Sequence, residues 1–313
     1  MINRKKYRGG VIDCMSNSNK ATKEDKMEYY ISLVNSELDL IYSRLAETMN
    51  EETIITDAMR YSISAGGKRI RPVLVLEFCR ICGGNAENAV SAACAIEMIH
   101  TFSLIHDDLP CMDNDDFRRG RPSCHKAYNE SLALLAGDAL ENMAYKIIAD
   151  DDRINDSIKV KLIRVLTKAT EDMIKGQVID TENEGKMMSE SLLLRMYDMK
   201  TAALLKAACV MGCICAEAGE TQIDAAYRYA FDLGTAFQII DDILDIVGTD
   251  EDLGKPTGSD AENGKITFAS LNGVEKSKSY AAELTGNALK ELDIFDDNLF
   301  LKELTQQLLK RNK

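Results

Sequence analysis

The sequence predicts an all-α chain, and three observations predict it. No stretch alternates apolar and polar residues with the period of two that marks a half-buried strand, and there is no internal repeat. Ala, Leu, Met, Glu and Lys, all good helix formers, dominate the composition. The four prolines, Pro72, Pro110, Pro122 and Pro256, each stand beside a charged motif, outside the long periodic segments, so they punctuate helices at loops. With 313 residues, 45% of them hydrophobic, and no Gly/Ser/Pro-rich linker, the chain reads as one large domain.

Taken in order, residues 1–23 are polar and lack the apolar run of a signal peptide. They are expected to form a poorly ordered N-terminal segment ahead of a domain spanning 24–313. Helical periodicity begins at Glu24 and runs to about Met49, with Tyr30, Leu33, Val34, Leu38 and Ile41 on one stripe. A second helix should end at Gly66-Gly67. Ile70 to Cys82 is apolar and helical, Gly83-Gly84-Asn85 is a turn, and Ala86 to about Asp108 is a long helix. Further helices are expected over about Asn129–Asp150, Asp156–Thr181, Ser189–Ala218 and Thr221–Val247, with two more after Lys265.

The net charge of −13 argues against a nucleic-acid partner, which would require a basic face. No apolar run approaches the roughly 20 residues of a membrane span. Nine cysteines include a C-x-x-C at Cys79 and Cys82 and a C-x-C at Cys213 and Cys215, with Cys209 nearby. Zinc would need such pairs to converge at knuckle turns. Both groups lie in apolar helical patterns, where cysteine packs as a small hydrophobe. An odd cysteine count without a signal peptide fits a reducing, cytoplasmic setting.

The stretch His100–Arg121 carries five aspartates within ten positions, Asp107, Asp108, Asp113, Asp115 and Asp116, and then Arg118, Arg119 and Arg121. Pro110 stops the preceding helix, so the first acids sit at a helix C-terminus, where the macrodipole disfavours negative charge. Crowded carboxylates also raise one another's pKa. A divalent cation would remove both penalties, although a solvated acidic loop would carry the same run. A second stretch, Phe237–Val247, sets Asp241, Asp242 and Asp245 in an otherwise apolar helix, with Asp241 and Asp245 on one face. Burying unpaired carboxylates there is costly. Two Asp-rich helical segments suggest one cation site between helices. Oxygen ligands without a thiolate or histidine cluster favour Mg²⁺, which completes its shell with water and substrate phosphate. Basic groups at Gly66-Gly67-Lys68-Arg69-Ile70-Arg71, Arg118-Arg119, Lys200-Thr201, Gly254-Lys255 and Lys265 add places where amide groups and guanidinium forks could hold phosphate. Together they imply one diphosphate or more.

On these residues the chain resembles the trans-isoprenyl diphosphate synthases, most closely those of bacterial farnesyl diphosphate synthase type. GGKRIRP resembles the family's N-terminal basic motif. DDLPCMDND with RRG looks like the longer form of its first Asp-rich motif, and DDILD looks like the second. The KT pair, the Gln of FQIIDD and GKPTGSD with the following KIT also match. The resemblance implies a single bundle of long helices around a deep central cavity, forming a homodimer. It implies Mg-dependent prenyl transfer between isopentenyl diphosphate and an allylic diphosphate, with up to three Mg²⁺ ions. Asp107, Asp113 and the adjacent Asp108 would bind two ions on the allylic diphosphate, and Asp241, Asp242 and Asp245 a third. Arg118, Lys200 and Lys255 would contact that diphosphate, with Lys265 close by. Gly67, Lys68, Arg71, His100 and Arg119 would hold isopentenyl diphosphate, and Thr201 and Gln238 would face the developing cation. Phe102, with small Ser103 beside it, would form the cavity floor and stop growth at farnesyl diphosphate. Geranyl and geranylgeranyl diphosphate are the alternative products.

Three other classes fit less well. His106-Asp107 suggests an HD-type metal phosphohydrolase, but the chain has only three histidines, and DDILD would go unexplained. The stretch from Asp113 lacks the EF-hand glycine, since Arg118 stands there. Terpene cyclases carry a different second motif, with Asn/Asp, Ser/Thr and Glu at wider spacing.

Overall fold

Side-chain caps start several of the helices where the sequence expects them. In the computed structural model, which describes residues 22–48, 53–247 and 265–309, Asn129, Asn155 and Ser189 each accept a hydrogen bond from the amide three residues on. Each such cap stabilises its helix by about 1 kcal/mol. The helices are α1 (Lys23–Thr48), α2 (Ile54–Ile63), α3 (Ile70–Ile81), α4 (Val90–Asp107), the short α5 (Cys124–Ala127), α6 (Glu130–Ala149) and α7 (Asp156–Glu182). They continue with α8 (Glu190–Tyr197), α9 (Ala203–Cys215), α10 (Glu220–Val247), α11 (Phe268–Asn272), α12 (Val274–Glu291) and α13 (Leu299–Leu309).

The bundle is organised around α9, all of whose residues are buried. Helices α3, α7 and α10 pack on it, α6 packs along α4, and α12 along α10. Helix α4 is long and apolar enough to cross a membrane by length and composition once the 3₁₀ turn before it is included, but 78% of its apolar window is buried in the bundle. A buried network ties the ends together. Tyr30 on α1 donates to Glu77 on α3 at 2.6 Å, and Arg80 pairs with both Glu77 and Asp297.

Two elements differ from expectation. Phe117–Arg118 and Arg121–Pro122 form a short antiparallel hairpin, β1 and β2, inside the charged stretch. The helix expected over Ser189–Ala218 is interrupted by a π-helical turn at Asp198–Ala202. The cysteines pack as expected in one respect: Cys79, Cys209, Cys213 and Cys215 are buried free thiols, and burial pushes Cys79 up to about 12. The two cysteine motifs nevertheless meet, with the Cys82 and Cys213 sulfurs 3.6 Å apart. The expectation for residues 1–23 falls outside the described residues except at its end, where Lys23 already opens α1.

Candidate active site

Helix α4 delivers Asp107 at its last turn and Asp108 at its C-cap. The chain then folds back on itself. The Asp113 amide donates to the Asp107 carbonyl at 2.9 Å, and the Met112 and Asn114 amides to Leu109. Asn114 takes a left-handed φ of 53°, a conformation Asn tolerates well. This backbone clasp, closed over Pro110, brings the outer acids of the motif together. Burial raises the Asp107 carboxyl to about 6; Asp113 and Asp108 push the same way, against the partial relief of Lys200 and Arg118. Burial also raises Asp108, even though Arg118 donates to it through Nε at 2.9 Å. Arg118 pairs with Asp115 as well, at 3.0 Å. In this state Arg118, expected on the allylic diphosphate, is bound by the acids of the motif itself.

The hairpin aims the next arginine elsewhere. Arg119 and Gly120 hold its two central positions at φ 54° and 75°, as a tight two-residue turn demands. The Arg119 guanidinium is thereby laid over Gly67, where any Cβ would collide with it, and donates to the Gly66 carbonyl. Gly66 and Gly67 have φ of 88° and 116°, which suit glycine. Around this contact gather His100, with Nε2 3.5 Å from Arg119, and Arg71, whose buried Nε has no hydrogen-bond partner. Arg69 pairs with the buried Glu97 on α4, and Arg119 lies 4.0 Å from the same carboxylate. Burial first, then the guanidinium groups of Arg71, Arg119, Arg69 and Arg118, hold His100 well below its ordinary pKa, so its imidazole is neutral. Burial also lowers Arg71 and Arg119, only partly offset by Glu97. Three guanidinium groups around one carboxylate, with a donor unused, make a site for a polyanion. The sequence pointed to Gly67, Arg71, His100 and Arg119 and named Arg69 only as part of the basic run; it missed Glu97, though a lone acid within the apolar run AACAIEMIH was the available signal. Lys68 is exposed at the rim of this loop.

The third part is the π turn, a feature that often marks functional positions. Gly176 on α7 lies against the backbone of Met199 and Lys200, and Gly234 on α10 lies against Ala202, so the widened turn fits between two helices without side chains at those points. Lys206 anchors its first residue, Asp198. Lys200 reaches Asp180 on α7 at 2.5 Å. The Thr201 hydroxyl donates to Gln238 Oε1 at 2.9 Å. On α10, Asp241 is half-buried, while Asp242 and Asp245 are buried. Asp242, expected beside Asp241 at the third ion, is engaged by the protein. It accepts from the Tyr197 hydroxyl at 2.6 Å and from the Phe268 amide at 3.1 Å, so one of its oxygens joins α8, α10 and α11. Lys265 lies just before α11, half-buried, and Lys255 is outside the described residues.

The donor set fits Mg²⁺. Among the described residues no three His, Cys, Asp or Glu side chains converge to hold an ion by themselves. Mg²⁺ takes one or two carboxylates and leaves its other positions to water and phosphate, and the acids here are oxygen donors of that kind. A carboxyl raised to about 6 by burial and by a second acid is also one that a cation would stabilise in its ionised form.

The polyprenyl synthetase family profile matches residues 52–298. The chloroplastic geranylgeranyl pyrophosphate synthase of Capsicum annuum is 46% identical over 252 residues, covering 79% of this chain and 68% of that one. The farnesyl diphosphate synthase of Geobacillus stearothermophilus is 42% identical over 275 residues, covering 86% and 93%. The crystal structure of a geranyltransferase from Helicobacter pylori, complexed with magnesium and isoprenyl diphosphate, superposes with a TM-score of 0.74 at 30% identity, over 91% of this chain and 96% of that one. The all-α bundle, the ordered acidic and basic motifs and these matches together place the chain in the polyprenyl synthetase family of prenyltransferases.

Proposed function

We propose that this protein condenses isopentenyl diphosphate with dimethylallyl and then geranyl diphosphate, in the presence of Mg²⁺, and stops at farnesyl diphosphate. Bound Mg²⁺, held by Asp107 and Asp113 on one side and Asp241 on the other, would neutralise charge building on the departing diphosphate. Lys200 stands beside Asp107 and adds its ammonium to that charge. Arg71, Arg119 and His100 hold the isopentenyl diphosphate, and the neutral imidazole donates one hydrogen bond without competing for a proton. Thr201 and Gln238 present oxygen dipoles to the allylic carbon as it becomes cationic. The isopentenyl double bond attacks that carbon, and the proton lost from the adduct passes to the diphosphate just released. Buried apolar helices exclude the water that would quench the cation.

Phe102 is the observation that carries the product assignment. It is 5% exposed on α4, five residues before Asp107 and so about 7.5 Å along the helix at the α-helical rise. A ring there closes the path of a tail extending from the diphosphate. The half-buried Ser103 turns its hydroxyl back to the His100 carbonyl at 3.0 Å and leaves room beside it. Geranylgeranyl diphosphate is the second reading, favoured by the identity to the Capsicum annuum enzyme. The proposal extends to a homodimer in the cytoplasm; the exposed Leu134 and Leu135 on α6 and Ile174 and Val178 on α7 support the dimer. Purified protein with isopentenyl and dimethylallyl diphosphates and Mg²⁺ should give mainly farnesyl diphosphate by chromatography, and none with a chelator. Mainly geranylgeranyl product would establish the second reading, and diphosphate release without chain growth would end both. Sedimentation of the same protein should show a dimer.

A further inference from the structure

The Phe102 ring packs against a second ring. His106 follows it by one helical turn, with ring centroids 5.2 Å apart and planes at 90°. This is the edge-to-face arrangement that aromatic pairs prefer. His106 in turn rests on α6. Its Nε2 donates to the Leu134 carbonyl at 3.0 Å and lies 3.9 Å from an Asp138 carboxylate oxygen. Between those two residues Gly137 offers no side chain, and a Cβ there would overlap three atoms of the imidazole. The imidazole thus occupies a slot that only glycine leaves open. It is tied to the α6 backbone on one edge and to Phe102 on the other. The imidazole is thereby confined, and Phe102 packs against a confined neighbour.

We propose that His106 and Gly137 set product length by fixing the Phe102 ring, as positioning residues that act through the floor rather than on the reacting atoms. The proposal rests on the reading of Phe102 as that floor. Removing the imidazole leaves a hole beside Phe102 into which its ring can swing, opening the path for another isoprene unit. Adding a methyl at Gly137 has the opposite effect. The imidazole must leave α6 and press on Phe102, shortening the path.

The test is product chromatography for wild type, Phe102→Ala, His106→Ala and Gly137→Ala, with folding checked by circular dichroism. The ratio of products within one reaction is the readout, because His106 adjoins Asp107 and a loss of rate would not separate positioning from damage. Phe102→Ala should extend chains beyond farnesyl. His106→Ala should raise the ratio of geranylgeranyl to farnesyl product about tenfold, the scale of discrimination carried by one packed group. Gly137→Ala should move the balance toward geranyl. Should His106→Ala not fold, His106→Gln, which keeps the donor to Leu134 without the ring, takes its place. If Phe102→Ala lengthens chains while a folded His106 variant and Gly137→Ala both keep the wild-type ratio, the positioning role is overturned and the floor stands. If Phe102→Ala itself still stops at farnesyl, the floor reading falls and takes this proposal with it.

Discussion

Lys200 on the π turn and Asp180 on α7 stand 2.5 Å apart, so the lysine proposed to meet the allylic diphosphate is already held by a carboxylate of the chain. The pair fixes the ammonium on the side of Asp107, whose charge it partly offsets. Gly176, one turn before Asp180 on the same helix, is what lets the π turn come this close. Under the proposed function, the ion pair would orient a charge for the transition state.

Asp180→Asn should lower kcat by about 10- to 100-fold through misplacement of Lys200. The KM for isopentenyl diphosphate should stay near wild type, because the residues proposed to hold it, Arg71, His100 and Arg119, belong to a cluster separate from Lys200 and Asp180. Steady-state kinetics with each substrate varied in turn decides it. A variant with unchanged kcat would show that the pair only ties α7 to the turn.

Asp107 yields a prediction about pH. Its folded carboxyl sits at about 6, against an ordinary 3.8 in the unfolded chain. Between those values the folded state binds more protons than the unfolded state, so this group destabilises the fold above pH 6 and relieves it as pH falls toward 4. The sign is opposite to that of a salt-bridged aspartate. In chelator, Asp107→Asn should melt higher than wild type at pH 7.5, and the difference should shrink by pH 5. The same variant should lose most of its activity with Mg²⁺. A lower melting temperature at pH 7.5 would count against a carboxylate strained by burial.

The neighbouring acids of α10 should separate cleanly. Asp241→Ala should cost on the order of 10²–10³ in kcat while melting near wild type, as loss of a charge-stabilising element does. Asp242→Ala removes the carboxylate that accepts from the buried Tyr197 hydroxyl and one of the two acceptors of the Phe268 amide, the other being the Tyr197 hydroxyl oxygen itself. Losing a buried acceptor costs about 1–3 kcal/mol, so this variant should melt below wild type. Thermal melting and steady-state rates measured side by side test the assignment, and equal behaviour of the two variants would reject it.

How much of this was legible in the sequence follows from the range of the interactions. The helices could be read because apolar periodicity is local, and the acidic motifs because charge inside apolar helices is conspicuous. Which of Asp241 and Asp242 faces outward was not legible, since both are flanked by apolar residues and helical neighbours differ by a rotation of about 100° that pattern alone does not orient. The hairpin is too short for a period of two to register, although Gly120 at a turn position was its one mark. The π turn depends on Gly176 and Gly234, which lie on other helices. The Arg69–Glu97 pair spans 28 residues and joins a loop to a helix interior, so neither partner predicts the other.

That pair leads to the last prediction, which separates a structural arginine from a binding one two residues away. Arg69 and Glu97 are both buried, and Arg69 also donates to the Ile63 carbonyl at 2.5 Å. Arg71 is on the same loop side of α3 with a buried Nε that no protein acceptor meets. Removing one partner of a buried ion pair costs about 3–5 kcal/mol, so Glu97→Ala should unfold at markedly lower temperature. Arg71→Ala has no such pair to break. Its loss should appear instead in the KM for isopentenyl diphosphate, raised by the equivalent of roughly 1.5–3 kcal/mol for one charge-assisted bond, with the allylic KM little changed. Kinetics with isopentenyl and geranyl diphosphates varied separately, beside melting curves for both variants, test this. If Arg71→Ala weakens both substrates equally, or destabilises the fold as Glu97→Ala should, the polyanion site beneath Gly66-Gly67 is a structural charge cluster and the isopentenyl diphosphate must be held elsewhere.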